Sequence, residues 1–333
     1  MVQRQISVAI IGYGNIGRGV YNAIANNETN NDMFVNGIIT RRPGALDLPS
    51  DIPVFDATKP SCDWDKSLYA DVAILCGGSK NDLPRQGPYW ANFFNTVDSF
   101  DTHANIPEYF RRMDGVAKSK GNVAIISAGW DPGTFSLERV LADAFIPGSK
   151  RYTFWGKGVS QGHSDAVRQV EGVADARQYT IPVEAALSSV RGGENPELTT
   201  RQKHTRLVYV VAKPGADREK ITKDIVTMPN YFADYDTTVK FITAAQMKRD
   251  HSQYPHGGFV LATGNTSPAN KALIEYRCQW GSNPEATANI LVACARAGYR
   301  MKQEGKTGAF TMLDIPPSYY GRRSETELLQ FFM

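Results

Sequence analysis

The sequence predicts an α/β protein: a Rossmann-type, doubly wound parallel sheet, plus an α+β domain whose sheet is mixed or antiparallel. Three observations carry this. Short, continuous apolar strands alternate with helices over the first 130 residues, the pattern of a sheet buried on both faces. The loop Gly12-Tyr13-Gly14-Asn15-Ile16-Gly17 follows the first strand and opens a helix. After Gly133 the strands lengthen and alternate apolar with polar residues, as strands with one open face do.

The elements follow in order. Ile6–Ile11 is a buried strand, Ile16–Ala25 a helix and Met33–Thr40 a second strand. Asp71–Cys76 is a third, ending in Gly77-Gly78-Ser79. A Pro-punctuated helical segment, Asn81–Asn95, leads to the strand Thr96-Val97-Asp98. Asn105–Lys120 is a helix with Pro107 in its first turn, and Asn122–Ser127 another buried strand. Phe135–Phe145 is helical until Pro147-Gly148-Ser149 breaks it. Beyond Arg151 the strands include Lys203–Val211, Thr237–Ile242, Phe259–Thr263 and Ala272–Trp280. The alternation in Leu273-Ile274-Glu275-Tyr276-Arg277-Cys278 predicts an antiparallel sheet, with helices near Asp217–Thr227 and Pro284–Glu304 packed on it.

Composition limits the function classes. The chain has 333 residues, 37 Lys+Arg, 34 Asp+Glu and a formal charge of +3, which gives no electrostatic case for nucleic acid. Hydrophobic residues are 42% and charged residues 21%, a globular balance. No apolar stretch approaches the roughly 18 residues that span a bilayer. The N-terminus, Val2 to Ile11, has an early Arg4 and a short apolar run from Ile6, but it runs into Gly12-Tyr13-Gly14 rather than a cleavage site, so a cytoplasmic location is expected. Cys62, Cys76, Cys278 and Cys294 are widely spaced and read as buried thiols.

The Gly-rich loop predicts a dinucleotide. Gly12 makes the tight turn, Gly14 lets the backbone approach a pyrophosphate, and Gly17 lets the helix pack on the strand. The helix N-terminus offers N–H groups to the phosphates. The second strand ends Ile38-Ile39-Thr40-Arg41-Arg42, with two Arg where an NAD enzyme places an acid, which predicts NADP. The expected cofactor residues are therefore Gly12, Tyr13, Gly14, Asn15, Ile16, Gly17, Thr40, Arg41 and Arg42, with Cys76, Gly77, Gly78 and Ser79 on the third strand's end.

Two acidic clusters follow strands of the same region: Asp98-Ser99-Phe100-Asp101-Thr102-His103 and Gly129-Trp130-Asp131-Pro132-Gly133. Each acid alone suits a capping role. Two at successive strand ends, one beside Trp, suit a cationic substrate group. Asp98, Asp101, His103 and Asp131 match no metal-ligand spacing, so no metal is expected. Gly158-Val159-Ser160-Gln161-Gly162, with His163 and Asp165 nearby, imitates a nucleophile elbow. It lies past the parallel region, and three triad residues so close in sequence are not expected to reach one another.

These segments resemble the meso-diaminopimelate D-dehydrogenase family. The resemblance runs from the Gly-rich loop to Gly308-Ala309-Phe310-Thr311. It is carried by Thr40-Arg41-Arg42, Thr96-Val97-Asp98, Ser127 to Gly133, Thr153-Phe154-Trp155-Gly156, Ser160 to Asp165, Met228-Pro229-Asn230-Tyr231-Phe232, Pro255-His256-Gly257-Gly258 and Arg300-Met301-Lys302-Gln303. Gly264–Asn270 and the tail after Ile315 fit less well, and Phe100 stands where a Tyr is expected.

The resemblance implies NADP-dependent oxidative deamination of the D-centre of meso-2,6-diaminopimelate, and a homodimer. It implies a dinucleotide-binding domain over 1–130, onto which a segment from about 300 to 333 packs back, and a dimerisation and substrate domain over 131–299. It places Asp101 and Asp131 at the D-centre as catalytic residues and Trp130 and Trp155 around the methylene chain. Gln161, Gly162 and Asp165 would line the cavity, and Thr180, Arg206, His256 and Asn283 would hold the L-centre. Without the resemblance, Thr180, Arg206 and His256 read as ordinary sheet and turn residues. The competing readings are an NADP-dependent D-amino-acid dehydrogenase or imine reductase of broader range, and a non-catalytic NADP sensor.

Overall fold

The computed structural model describes residues 4–46, 48–59 and 68–333. Cys62 lies outside them; Cys76, Cys278 and Cys294 are thiols. The chain opens with β1 (Ile6–Ile11), α1 (Asn15–Ala25), β2 (Met33–Thr40), β3 (Val54–Asp56), β4 (Val72–Leu75) and α2 (Leu83–Trp90). It continues through β5 (Asn95–Asp98), α3 (Ile106–Lys120), β6 (Val123–Ile125), α4 (Thr134–Phe145), β7 (Lys150–Trp155), β8 (Gly158–Ser160) and α5 (Gln161–Arg168). Next come β9 (Val173–Pro182), α6 (Glu184–Arg191), α7 (Thr200–Lys203), β10 (His204–Ala212), α8 (Arg218–Val226), β11 (Asp236–Phe241) and α9 (Ala244–Asp250). The last elements are β12 (His256–Ser267), β13 (Asn270–Trp280), α10 (Asn283–Gln303), β14 (Gly308–Phe310) and α11 (Glu325–Phe332). Two compact units divide the chain: residues up to 137 with 284–333, and residues 138–283.

The first unit holds a seven-stranded sheet in the order β14-β6-β5-β4-β1-β2-β3. Every pairing is parallel. Because side chains alternate across a strand, each strand feeds two cores. Val8, Ile10, Ile38, Ile74 and Val97 face one core with Val20 and Ile24 of α1. Ala9, Ile11, Ile39 and Leu75 face the other with Leu83, Trp90, Tyr109 and Met113. Fully burying each such Ile or Val contributes about 1.5–3 kcal/mol. The chain leaves β1 for β2 on one side and returns to β4 on the other, so β1 borders the switch point where such sheets bind ligands.

One expectation is corrected here. The helix over Pro284–Glu304 was expected on the open-faced sheet. Instead α10 sends Ala288, Leu291, Val292 and Ala295 into the first unit's core. A side chain at Gly19 of α1 would stand 2.8 Å from Ala288 Cβ, so the two helices touch closely. Arg296, buried, donates from Nε to Asp32 Oδ2 at 2.6 Å and from Nη2 to Oδ1 at 2.8 Å. The first compact unit therefore takes in α10 together with the rest of 284–333.

The second unit holds two sheets rather than one. In β11-β10-β9-β8 only the β10–β11 pairing is parallel. In β13-β12-β7 all pairings are antiparallel. Inward residues Ala176, Val208 and Val210 pack against Val167 of α5 and Ile221 and Ile225 of α8. Asp217 caps α8 by accepting from the backbone N–H of Glu219 and Lys220 at 2.9 and 3.0 Å. β13 alternates half-buried with exposed residues along most of its length, the open face its sequence predicts.

Candidate active site

The carboxyl ends of β1, β2 and β4 open into a crevice of about 530 Å³. Gly12, Tyr13, Gly14, Thr40, Arg41, Arg42, Cys76, Gly77 and Gly78 line it, joined by Asp82, Gln86, Tyr89 and Trp90. The glycines divide the work as their spacing predicts. Gly12 has φ +94°, a region that favours glycine. A side chain at Gly14 would meet nothing within 4 Å, leaving its backbone open to a ligand. One at Gly17 would collide with the Gly12 carbonyl oxygen at 2.1 Å, so Gly17 serves helix–strand packing.

Four expected cofactor residues do not line the crevice. Gly17 is turned into that packing contact. Ile16 packs against the core, and exposed Asn15 accepts from Arg18 Nη2 at 2.6 Å. Ser79 Oγ accepts the Asp101 backbone N–H at 2.8 Å. Arg41 reaches into the crevice and meets Asp82 at 3.5 Å, and Asp82 also accepts from the Gly78 N–H at 3.0 Å. Gln86 Oε1 is buried without a hydrogen-bond partner. An open glycine backbone, two Arg and an unsatisfied amide oxygen fit a phosphorylated dinucleotide.

The two acidic loops follow adjacent strands of the same sheet, β5 and β6. Asp101 is exposed and Asp131 half-buried. The loop carrying Asp131 is tightly closed. Thr134 N donates to Gly129 O at 3.0 Å, and Gly133 adopts φ +135° within 1.7 Å, at its missing Cβ, of the Gly129 oxygen. The Trp130 ring meets Phe135 edge-on at 5.1 Å. Beneath the loops Asp98 is almost fully buried, and burial pushes its carboxyl up to about 6.

In the second unit Arg206 and Thr180 are cross-strand partners on β10 and β9. Arg206 donates to Thr180 Oγ1 and lies 3.9 Å from the centre of the Tyr235 ring. It is 6% exposed and its Nε has no partner. Burial lowers its pKa, and no carboxylate among the described residues offsets that. Three histidines feel this cation. Burial first and Arg206 second push His163 and His204 down to about 3. Burial chiefly, with Arg206 as a smaller cause, pushes His256 to about 4. At neutral pH these three imidazoles are uncharged, and Arg206 is a cation that all three feel.

Trp155, His256, Gln161, Gly162, Asp165 and Asn283 lie on β7, β12, α5 and α10. Trp155 ends β7, donates its backbone N–H to His204 Nε2 at 2.8 Å and stacks on that ring at 5.3 Å. His256 opens β12, and a side chain at Gly158 would come within 2.6 Å of its ring. Gln161 and exposed Gly162 begin α5. Asp165 is exposed and ion-paired with Arg168. Asn283 opens α10, its N–H donating to the Tyr254 carbonyl at 2.8 Å.

The sequence reading missed His204, Tyr235, Gln86 and Asp82. His204 could have been found: His204, Arg206, Val208 and Val210 are buried at every second residue of β10. One expectation about the imitation elbow is also corrected. Ser160 and His163 do meet, Oγ to Nδ1 at 2.8 Å, because Ser160 is the N-cap of α5 and His163 stands three residues on. The strand is β8 at the edge of a mixed sheet, and Asp165 turns to Arg168, so no triad forms. Among the described residues no three His, Cys, Asp or Glu side chains gather as a metal site.

Comparison with known proteins gives the family. Residues 129–282 match the Diaminopimelic acid dehydrogenase C-terminal domain. The meso-diaminopimelate D-dehydrogenase of Acetivibrio thermocellus is 52% identical over 328 residues, 97% of this chain and 96% of that protein. A crystal structure of a meso-DAPDH mutant of Clostridium tetani E88 with DAP is 47% identical, with TM-score 0.90 over 99% of this chain and 100% of that one. The six residues replaced in that mutant are a Gln, a Thr, an Arg, a Pro, a His and an Asn. Their sequence intervals equal those among Gln161, Thr180, Arg206, Pro255, His256 and Asn283. An engineered D-amino acid dehydrogenase bound to NADP+ is 42% identical, with TM-score 0.85 over 99% of this chain and 100% of that one. With half its residues shared across nearly its whole length, the chain belongs to the meso-diaminopimelate D-dehydrogenase family.

Proposed function

We propose that the protein oxidatively deaminates the D-centre of meso-2,6-diaminopimelate with NADP, reversibly, giving L-2-amino-6-oxopimelate, ammonia and NADPH. The carrying observation is Arg206. A buried guanidinium fixed on Thr180, among neutral histidines and without a carboxylate of its own, is built to receive one. The mutant with DAP supports this, since five of its six replacements follow the spacing of residues assigned here to the substrate.

Arg41 and Arg42 hold the cofactor's 2′-phosphate and the Gly12–Gly14 backbone its pyrophosphate. Bound NADP+ supplies the hydride acceptor. Asp101 and Asp131 hold the D-centre amine and orient its C–H, and Trp130 and Trp155 exclude bulk water. The ammonium first gives up a proton to water, the carbon then loses hydride, and water adds to the resulting iminium to release ammonia. Thr180, Arg206, His256 and Asn283 hold the distant L-centre, with Gln161, Gly162 and Asp165 lining the cavity.

Two further assignments belong to this reading. The protein works as a homodimer; exposed Val140, Leu141, Phe145 and Leu273 on the second unit supply apolar surface for a second copy, and light scattering would test it. It works in the cytoplasm; among the described residues no helix is long and apolar enough to cross a membrane, and cell fractionation would test the location. The deciding assay is NADP reduction with meso, LL and DD diaminopimelate. Turnover of meso but not LL is expected. Turnover of LL would overturn the assigned centre, and preference for D-alanine would favour a broader D-amino-acid dehydrogenase.

A further inference from the structure

We propose that Asp98 is a positioning residue for this reaction, its buried carboxylate fixing the two loops that carry Asp101 and Asp131. The proposal rests on the reading of those two acids as the amine-binding pair.

The geometry is that of a bridge. Asp98 is the last residue of β5 and 1% exposed. Its Oδ1 accepts two backbone N–H groups: Phe100 at 3.0 Å on its own loop and Ser127 at 3.2 Å at the end of β6. Its Oδ2 accepts the Tyr109 hydroxyl of α3 at 2.7 Å. Its backbone carbonyl accepts the Ala128 N–H at 2.8 Å. One residue therefore ties together the starts of both acidic loops and braces them on a helix.

Each link leads to a reactive side chain. Asp101 lies three residues past Asp98, and its N–H is held by Ser79 Oγ from the loop after β4. Ser127 adopts φ +55°, a left-handed conformation that costs a non-glycine residue about 1–2 kcal/mol. Its N–H is held in that turn by Asp98. From Ala128 the chain enters the closed Gly129–Gly133 loop that presents Asp131. Phe100 stacks on Tyr109 at 4.3 Å and seals the bridge from solvent.

The choice of residue points to position rather than bulk stability. A strand end in a core is filled without penalty by Val or Thr. A carboxylate there must be stripped of water, a cost that its hydrogen bonds only partly offset. The carboxylate takes two N–H groups on one oxygen and a hydroxyl on the other, linking three different elements, which Val or Thr does not.

The test uses the full-length enzyme with NADP and meso-diaminopimelate. Asp98→Ala is expected to lower kcat/KM for the amino acid about 100-fold, the effect of a roughly 1 Å misplacement of reacting groups, with NADP Kd within about threefold. Asp98→Asn is expected to restore kcat/KM to within about fivefold of the parent, because its amide oxygen still accepts both N–H groups and its NH2 can donate to Tyr109. If the alanine variant does not fold, Asp98→Ser takes its place under the same thresholds. A folded Ala or Ser variant that keeps kcat/KM within about threefold overturns the proposal, and so does an Asn variant as impaired as Ala. Asp101→Asn and Asp131→Asn are measured in parallel. If they keep full activity, the amine-pair reading falls and takes this proposal with it; if they are inactive while Asp98→Ala is active, only the positioning role falls.

Discussion

Replacing Arg206 by Met should make the protein more stable and nearly inactive on diaminopimelate. The guanidinium is 6% exposed, with a bond to Thr180, the Tyr235 face beside it, and an Nε without a partner. Stripping water from a cation costs several kcal/mol when no carboxylate offsets it. The hydroxyl bond and ring contact return about 2–3 kcal/mol together. Met fills similar volume without that cost, so a stabilisation of about 1–2 kcal/mol is expected, a rise of about 1–3 °C in Tm for a chain of 333 residues. The substrate loses its charge-assisted bonds. Removing one partner of a buried, hydrogen-bonded charge pair costs about 2–5 kcal/mol, which sets kcat/KM for meso-diaminopimelate about 30- to 4000-fold lower. NADP affinity should stay unchanged, and turnover of a D-amino acid without the second carboxylate should fall far less. Thermal unfolding and steady-state kinetics on the two substrates read all four quantities. A lower Tm accompanied by weaker NADP binding would refute the reasoning and make Arg206 a structural residue.

Three further outcomes are expected. Arg41→Ala should weaken NADP about 10- to 100-fold, from the lost bonds to phosphate, and change NAD little; paired Kd measurements check it, and equal losses would remove Arg41 from cofactor choice. The folded-state pKa values of His163, His204 and His256 are depressed, so the stability they carry is present above about 6.5 and is lost as pH falls toward 3–4. Between pH 7 and pH 5 each loses about 2 kcal/mol, whereas Asp98, raised to about 6, returns about 1 kcal/mol on protonation; Tm should therefore drop, and a rise would contradict the assignment. A fluorophosphonate probe should leave Ser160 unlabelled, because Asp165 is engaged by Arg168 and gives His163 no carboxylate; stoichiometric labelling seen by mass spectrometry would restore the hydrolase reading.

What the sequence disclosed depended on whether the signal was local. The Gly-rich loop and Arg41-Arg42 are contiguous with the strands they terminate, so strand, turn and ligand chemistry could be read together. Arg206 and Thr180 sit 26 residues apart and are made neighbours only by the register of β10 on β9, which no local pattern encodes. Their assignment needed the family resemblance. The three-residue β14 is too short for any periodicity, and α10 is buried around much of its circumference, so its sequence does not say which core it enters. The acid at 98 was visible as one of a cluster. That it works from below, through the N–H groups of Phe100 and Ser127, is a property of the folded turns.

The closing strand β14 sets an order of events during synthesis. It pairs with β6, yet about 180 residues lie between them. At about 5–20 residues per second, a nascent chain carries β6 as a bare edge for roughly 10–40 s. The core later covered by α10 stays open for nearly as long. Residues 138–283 hold both partners of all their own strand pairs and can close first. The nucleotide-binding unit, although it is begun first, is finished last. A pause in translation before residue 308 would therefore leave an aggregation-prone sheet edge waiting on a folded insert.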